Sequence, residues 1–338
     1  MAANPTPLKY LFPGWYAIVM GLAGLSLAFH RAVPLMGDMA GAVALVVGAL
    51  AAAVFAVLAV ATVLRGQRYP EAWAEDRKHP VRHTFIATLP IAVLLLATVA
   101  VASGLRDPVT EALWWIGALG QLFVTVWVLA RWFRGNGPGG LQWASLTPAL
   151  FIPIVGNVLV PLAGVPLGQL AWSAAQFGIG LLFWPVVLIL LLVRVLTQGM
   201  WPERLLPASF IVIAPPAVVG LSALQFGAPP LVGWALWGMA LFSFLWVATL
   251  ARRISNMPFG LPHWGMSFPL AALAALTLRV APTGPVAMFG VALLALAALL
   301  IAALSLATVR GLRDGSLLAP EPVAPIVPAA TSGTAVST

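Results

Sequence analysis

At 338 residues, with 62% hydrophobic and 8% charged side chains, the chain carries about a third of the roughly 25% charge of a soluble domain. Its formal charge of +8 comes from basic residues lying between apolar stretches, which excludes a nucleic-acid module and makes the charge a report of membrane orientation. The absence of cysteine excludes a disulfide framework, thiolate chemistry and any Cys-ligated metal.

At about 20 residues per crossing, ten apolar segments follow one another, which predicts an all-α polytopic membrane protein. The first, 11–31, follows a short polar start with Lys9, lacks a small-residue cleavage site and reads as a span rather than a removable signal. After 39–64 comes 83–104 with Pro90, then 109–133 with Glu111 near its outer end. The loop Gly135-Asn136-Gly137-Pro138-Gly139-Gly140 follows a helix and lacks the Lys-Ser/Thr ending of a phosphate loop, so it reads as a linker. The segment 147–164 holds Pro153 and Asn157, and 168–195 leads to 205–225 with Pro215 and Ser222. After 230–251, the segment 264–281 holds Phe268 beside Pro269, and 285–308 is the last. The tail, rich in Pro, Ala, Ser and Thr, has no helical period. The expected division is a cytoplasmic N-terminus at 1–10, a ten-helix transmembrane anion-pore domain at 11–310, and a disordered cytoplasmic tail at 311–338.

Placing the loops alternately on two sides puts fourteen Lys and Arg on one side and leaves Arg31, Arg106 and Arg279 for the other. The positive-inside bias then predicts that both termini are cytoplasmic. Pro90, Pro153, Pro215 and Pro269 recur in every second segment at separations of 63, 62 and 54 residues, about one helical hairpin each. A proline in a helix interior costs roughly 3 kcal/mol, and in lipid its freed carbonyl needs another partner, so kinked helices face protein or a water-filled path. The period near 60 predicts five helical hairpins in a ring, kinked inner helices enclosing a central pore. The bland alternative is the general enrichment of Pro in membrane helices.

Within the ten segments Glu111 is the only acidic residue. Proton-driven pumps retain buried carboxylates as relays and cation pores carry acidic rings, so neither fits. An anion fits better: Arg82, His83 and His263 fall at the cytoplasmic mouth and Arg279 at the outer mouth, where positive charge focuses the field. The competing reading for Arg82 and Arg279 is snorkelling to lipid phosphates. Titration of His83 and His263 would make conductance pH-dependent. His30, His79, His83 and His263 have no metal-ligand spacing, and no cofactor is expected. No Ser/His, paired Asp or His/Glu cluster occurs at matched depth, so the chain does not read as an enzyme. Trp114, Trp115, Trp132, Trp143, Trp172, Trp184, Trp201 and Trp264 fall near segment ends and read as interface anchors. Asn157 reads as an interhelical hydrogen-bonding residue. Phe268 precedes Pro269, on the turn that the proline ring distorts, so its side chain is a candidate to project toward the axis.

Three motifs, in order, carry a family resemblance: Phe12-Pro13-Gly14-Trp15-Tyr16 with Gly21-Leu22-Ala23-Gly24-Leu25; His79-Pro80-Val81-Arg82 leading to Phe85-Ile86-Ala87-Thr88-Leu89-Pro90; and Trp264-Gly265-Met266-Ser267-Phe268-Pro269-Leu270. From about residue 10 to 310 the chain resembles the tellurite-resistance/dicarboxylate transporter family, which includes bacterial TehA and the slow-type anion channels of plant guard cells. The resemblance implies ten helices, cytoplasmic termini, a bacterial-type inner membrane, and a homotrimer in which each protomer has its own pore lined by the odd-numbered helices. It implies that Phe268 is the pore-occluding residue and that small inorganic or organic anions are the permeant species. One departure lies in the first inner helix: Ala17-Ile18-Val19-Met20-Gly21 stands where bacterial relatives often read Gly-x-Pro-x-Gly, so Val19 replaces a proline. Gly21 and Gly24 still offer close approach. The expected function is a passive anion channel. The alternative is a carrier for malate, succinate or oxyanions such as tellurite or sulfite, with proton linkage, for which Thr88, Asn157 and Ser222 are the available mid-depth polar groups.

Overall fold

The computed structural model describes residues 6–135 and 140–319, which are helical with no strand among them. In chain order come α1 (Ala17–Met36), α2 (Asp38–Arg68), α3 (Pro70–Lys78), α4 (Thr88–Ala102), α5 (Pro108–Trp132) and α6 (Phe151–Gly164). They are followed by α7 (Leu170–Gln198), α8 (Ala214–Gln225), α9 (Pro230–Ala248), α10 (Ala251–Ser255), α11 (Ser267–Val280) and α12 (Gly284–Arg313). Local chemistry sets several of the ends. Gly37 alone joins α1 to α2, at φ +67°, a left-handed conformation that a side chain would strain. Pro70, Pro108 and Pro230 each open a helix where the missing N–H has no intrahelical acceptor, and Asp107 caps α5 by accepting from Thr110 N at 2.8 Å.

Nine helical stretches among the described residues are long and apolar enough to cross a membrane. Pro148–Gly164, where the sequence predicts a fifth span, is apolar but falls below that length. The Trp-rich segment ends also differ from expectation. Trp114, Trp132, Trp184, Trp201 and Trp264 are buried rather than lying at a surface, with Trp114 Nε1 donating to Val160 O and Trp264 Nε1 to Thr308 Oγ1. An indole that finds a polar partner inside the protein has no need of the headgroup layer.

Each later inner stretch is built in two parts. The 3₁₀ turns Arg82–Ala87, Pro148–Leu150, Glu203–Ile213 and Leu261–Met266 run directly into α4, α6, α8 and α11. Pro90, Pro153 and Pro269 are the third residues of their α-helices, and Pro215 is the second. The prolines expected in helix interiors thus lie inside continuous helical stretches, at the first α turn after the 3₁₀ segment. The first stretch follows the same plan without the proline, since the 3₁₀ turn Pro13–Tyr16 passes into α1 and Val19 is its third residue.

α1 packs against α4 and α11, α4 against α6, α6 against α8, and α8 against α11, while α2, α5, α7, α9 and α12 pack on α1, α4, α6, α8 and α11 respectively. Burial follows this division: 89% of the apolar window in Glu203–Gln225 is buried, against 17% in Pro230–Ala248. Exposed apolar side chains such as Val57, Phe123, Leu196 and Phe242 cover the outer set. Lipid tails supply no hydrophobic drive between helices, so close packing through small residues must hold them. Gly117 lets α5 approach Leu94 of α4, where an added Cβ would lie 2.8 Å from Cγ.

Candidate functional site

A cavity of about 570 Å³ takes wall residues from all five inner helices, among them Met20, Ile91, Val155, Ala214 and Phe268. One end is basic, with Lys9, Arg65, Arg82, Arg204 and His263 in its wall. Among the described residues Glu75 of α3 is the acidic member of the wall, and it belongs to that same end. The chain that follows α12 also reaches this end. Gly315 turns it at φ +76°, Leu317 N donates to Gly311 O at 3.2 Å, and Ser316, Leu317 and Ala319 join the wall. The tail expected from residue 311 is therefore helical to Arg313 and packed through Ala319; residues 320–338, like 136–139 of the glycine-rich loop, lie outside the described residues.

Phe268 is 8% exposed and faces this cavity from the first turn of α11. Its ring rests on Gly24 of α1, where an added Cβ would lie 2.9 Å from Cδ2. One turn away, Gly21 accommodates Ser267 in the same manner. The two glycines thus set the α1–α11 distance and with it the position of the ring. Pro269 and Ala17 also line the cavity, whereas Pro90, Pro153, Pro215, Val19 and Gly21 stand behind its wall.

The mid-depth polar groups are occupied elsewhere. Asn157 is fully buried outside the wall; its Nδ2 donates to Thr125 Oγ1 at 2.8 Å and lies 3.0 Å from Ile154 O, and its Oδ1 accepts from Gln176 Nε2 at 3.1 Å. Gln121 Nε2 and Thr125 Oγ1 lie 2.8 and 2.7 Å from Pro153 O, which ties α5 to the first turn of α6. Ser222 Oγ donates to Val158 O at 2.6 Å. Thr88 does line the cavity, but its hydroxyl lies 2.6 Å from both Pro13 O and Phe85 O and donates to backbone.

Of the residues expected at the mouths, Arg82 and His263 line the basic end. His83 does not: it is buried, with Nε2 accepting from Trp132 Nε1 at 3.0 Å and Nδ1 2.9 Å from His79 O. Arg279 lies outside this cavity, exposed and within electrostatic reach of Arg31.

Two residues of the basic end are invisible to the sequence pattern. Asp76 reads as part of a charged loop, yet it sits on α3 with its side chain fully buried, its Oδ2 2.7 Å from Arg65 Nη2 and its Oδ1 3.5 Å from Arg82 Nη1. Burial pushes the Asp76 carboxyl upward while the two guanidinium groups pull it back. Arg65, at the end of α2, also donates from Nε to Lys9 O at 3.0 Å. The available signal was Pro70 followed by Glu71, a helix start that would have placed Asp76 on a helix. At the adjoining helix ends, Arg131 of α5 binds the last carbonyls of α3, Arg77 O and Lys78 O, and Arg194 of α7 donates to Trp143 O. The basic loops therefore gather at one end of the molecule.

A multi-pass helical membrane protein whose cavity is basic at one end and, among the described residues, lined by no carboxylate along the rest of its wall fits the transport of anions. The chain belongs to the family described as voltage-dependent anion channel, whose profile matches residues 10–309. It is 26% identical to the tellurite resistance protein TehA homolog of Haemophilus influenzae, over 80% of each chain. Against the S-type anion channel SLAH2 of Arabidopsis thaliana it is 26% identical over 62% of this chain and 40% of the plant protein. The uncharacterized transporter MJ0576 of Methanocaldococcus jannaschii is 24% identical over 79% of this chain and 83% of its own length.

Proposed function

We propose that this protein is a passive anion channel, in which five helical hairpins, ten spans in all, surround one pore per protomer. The cavity would be that pore, with Phe268 as its gate and Arg82 and His263 at the mouth. The observation that carries the channel reading is the fate of the mid-depth polar groups: Asn157 and Ser222 are consumed in helix packing and the Thr88 hydroxyl donates to backbone, so these three groups form no pocket to hold a dicarboxylate. A neutral wall binds a small anion weakly enough to release it. The 3₁₀-to-α junctions add a second favourable feature, because the positive ends of the inner α-helices begin beside the cavity.

The chain's division into 1–10, 11–310 and 311–338, its placement in a bacterial-type inner membrane, and a homotrimer formed through part of the apolar outer face complete the reading. The gathering of basic loops at one end supports a cytoplasmic position for that end and for both termini. Reconstituted protein tests the function directly. Currents that reverse at the chloride Nernst potential and persist without a proton gradient are expected, whereas saturable, proton-dependent malate uptake without such currents is the carrier's result and would overturn it.

A further inference from the structure

We propose that a groove between α2, α3 and α5, on the outer side of the basic end, binds one anionic phospholipid, with an acyl chain in its apolar part and the phosphate at Arg77. The proposal does not depend on the channel reading above.

A second cavity, of about 470 Å³, lies here and shares no wall residue with the central one. Helix α3 divides the two. Pro70, Trp73 and Arg77 follow one another at i, i+3 and i+7 and form one wall of the groove. Glu75, about 200° around the helix from Arg77, lines the central cavity instead. Ile86, on the 3₁₀ turn before α4, and Phe123 and Trp127 of α5 supply the facing wall. Phe123 is 71% exposed and stands nine residues before the end of α5. That is about 13 Å along the helix axis, so the apolar part of the groove reaches from the basic end into the depth of the bilayer.

The chemistry of the wall identifies the occupant. Arg77 is exposed and makes no ion pair among the described residues. The acids of α3 are turned elsewhere: Asp76 to Arg65 at 2.7 Å, Glu71 to Lys9 at 4.0 Å, and Glu75 to the central cavity. Arg131, bound to the Arg77 and Lys78 carbonyls, brings a second guanidinium to the end of α3, and it too has no carboxylate partner among the described residues. The two indoles of the groove are held by the protein through their rings. Trp73 lies under Arg65, 5.5 Å from its Cζ, and Trp127 meets His83 edge-on at 6.4 Å. Neither indole N–H has a hydrogen-bond partner among the described residues, in contrast to those of Trp114 and Trp264. Guanidinium, indole donors and an apolar trough, in that order from the basic end inward, match the phosphate, ester carbonyls and chain of a phospholipid. A soluble anion would leave the apolar wall uncovered. A lipid without net charge would leave Arg77 and Arg131 without a counter-charge.

Native mass spectrometry of the purified protein, titrated with phosphatidylglycerol and with phosphatidylcholine, tests the site. One phosphatidylglycerol per protomer should bind ahead of all further lipid and more tightly than phosphatidylcholine. Arg77→Gln should weaken it about fivefold, the factor that one basic residue contributes at an anionic lipid surface, while Phe123→Ala should weaken both lipids alike. Both side chains are exposed, so neither change threatens folding. Arg252→Gln removes an exposed basic residue of α10 outside the groove and should change nothing. Equal affinity of the wild type for the two lipids would overturn the site, and so would an equal loss from Arg77→Gln and Arg252→Gln, which would reduce the effect to general surface charge. A second copy of the chain is the competing occupant. The chain has no cysteine, so Phe123→Cys carries a single nitroxide label. Relaxation of that label by oxygen dissolved in the bilayer supports a groove open to lipid, and a label shielded from oxygen by a neighbouring copy overturns the proposal.

Discussion

Replacing Phe268 with Ala tests whether the ring, and not the general width of the cavity, limits the current. The ring is 8% exposed, held against Gly24 on one flank and open to the cavity on the other. If Phe268 is the gate proposed above, an ion passes when the ring swings off its rotamer, which costs about 0.5–1.5 kcal/mol for a displacement near 30°. At about 1.4 kcal/mol per tenfold, removing that step raises current by roughly two- to thirteenfold. Phe268→Leu should fall between wild type and Ala, and Phe268→Trp should lie below wild type. The truncation also removes packing at the α1–α11 contact, where Phe→Ala in a closed core costs about 3–5 kcal/mol; one open flank places the cost here at the lower end. Recordings should therefore be normalised to correctly folded protein, measured by size-exclusion profile and melting temperature. Equal current per folded channel in wild type and Phe268→Ala refutes the gate. So does an equal increase from Met20→Ala, which would show that any widening of the wall suffices.

Gly24→Ala places a methyl 2.9 Å from Phe268 Cδ2 and pushes the ring off α1 toward the cavity, so current should fall, and the double variant with Phe268→Ala should recover the level of Phe268→Ala alone. Asn157→Leu removes a buried hydrogen-bonding hub behind the wall; it should destabilise the protein by about 0.6–1.7 kcal/mol in a denaturation titration while leaving unitary conductance unchanged. Asp107, at the head of α5, has its carboxyl held below the usual range by the Thr110 N–H. Its contribution to stability is thus present above the unfolded pKa of about 3.9 and is lost as pH falls through the lower folded value. Melting curves of Asp107→Asn should lack that acid-side loss, and superimposable pH profiles of the two proteins would contradict the cap.

The fold was legible in the sequence wherever a lipid solvent forces a long apolar run, since segment boundaries such as 109–133 and 230–251 fall within a few residues of α5 and α9. The segment 147–164 matches Pro148–Gly164 to within a residue, but the division of this and the other inner stretches into a 3₁₀ turn and an α-helix leaves no mark on hydropathy. The site was legible in part. Phe268 and Arg82 stood out through motifs, and both line the cavity. His83 looked like a mouth residue because it neighbours Arg82, but one step along a 3₁₀ turn rotates a side chain by about 120°, and its ring goes to Trp132 instead. Arg65 and Asp76 lie 11 residues apart on two helices, so their ion pair is a tertiary fact that no local pattern announces.

The first inner helix offers the sharpest check on the repeat itself. If the four recurring prolines were interior kinks, inserting a fifth at Val19 would cost roughly 3 kcal/mol and distort α1. The geometry argues otherwise: Val19 is the third residue of α1 after a 3₁₀ turn, the position that Pro90, Pro153 and Pro269 occupy in α4, α6 and α11. The residue before each of those prolines, Leu89, Ile152 or Phe268, is already helical, so the equivalent demand on Ile18 is one the fold meets three times over. Val19→Pro should therefore fold and conduct, with a loss below about 1 kcal/mol, well short of the interior-helix penalty. A loss of about 3 kcal/mol or more in a reversible denaturation titration would show that the first stretch is not equivalent to the others, and that the close fit of Gly21 and Gly24 against α11, rather than a shared 3₁₀-to-α junction, shapes this side of the cavity.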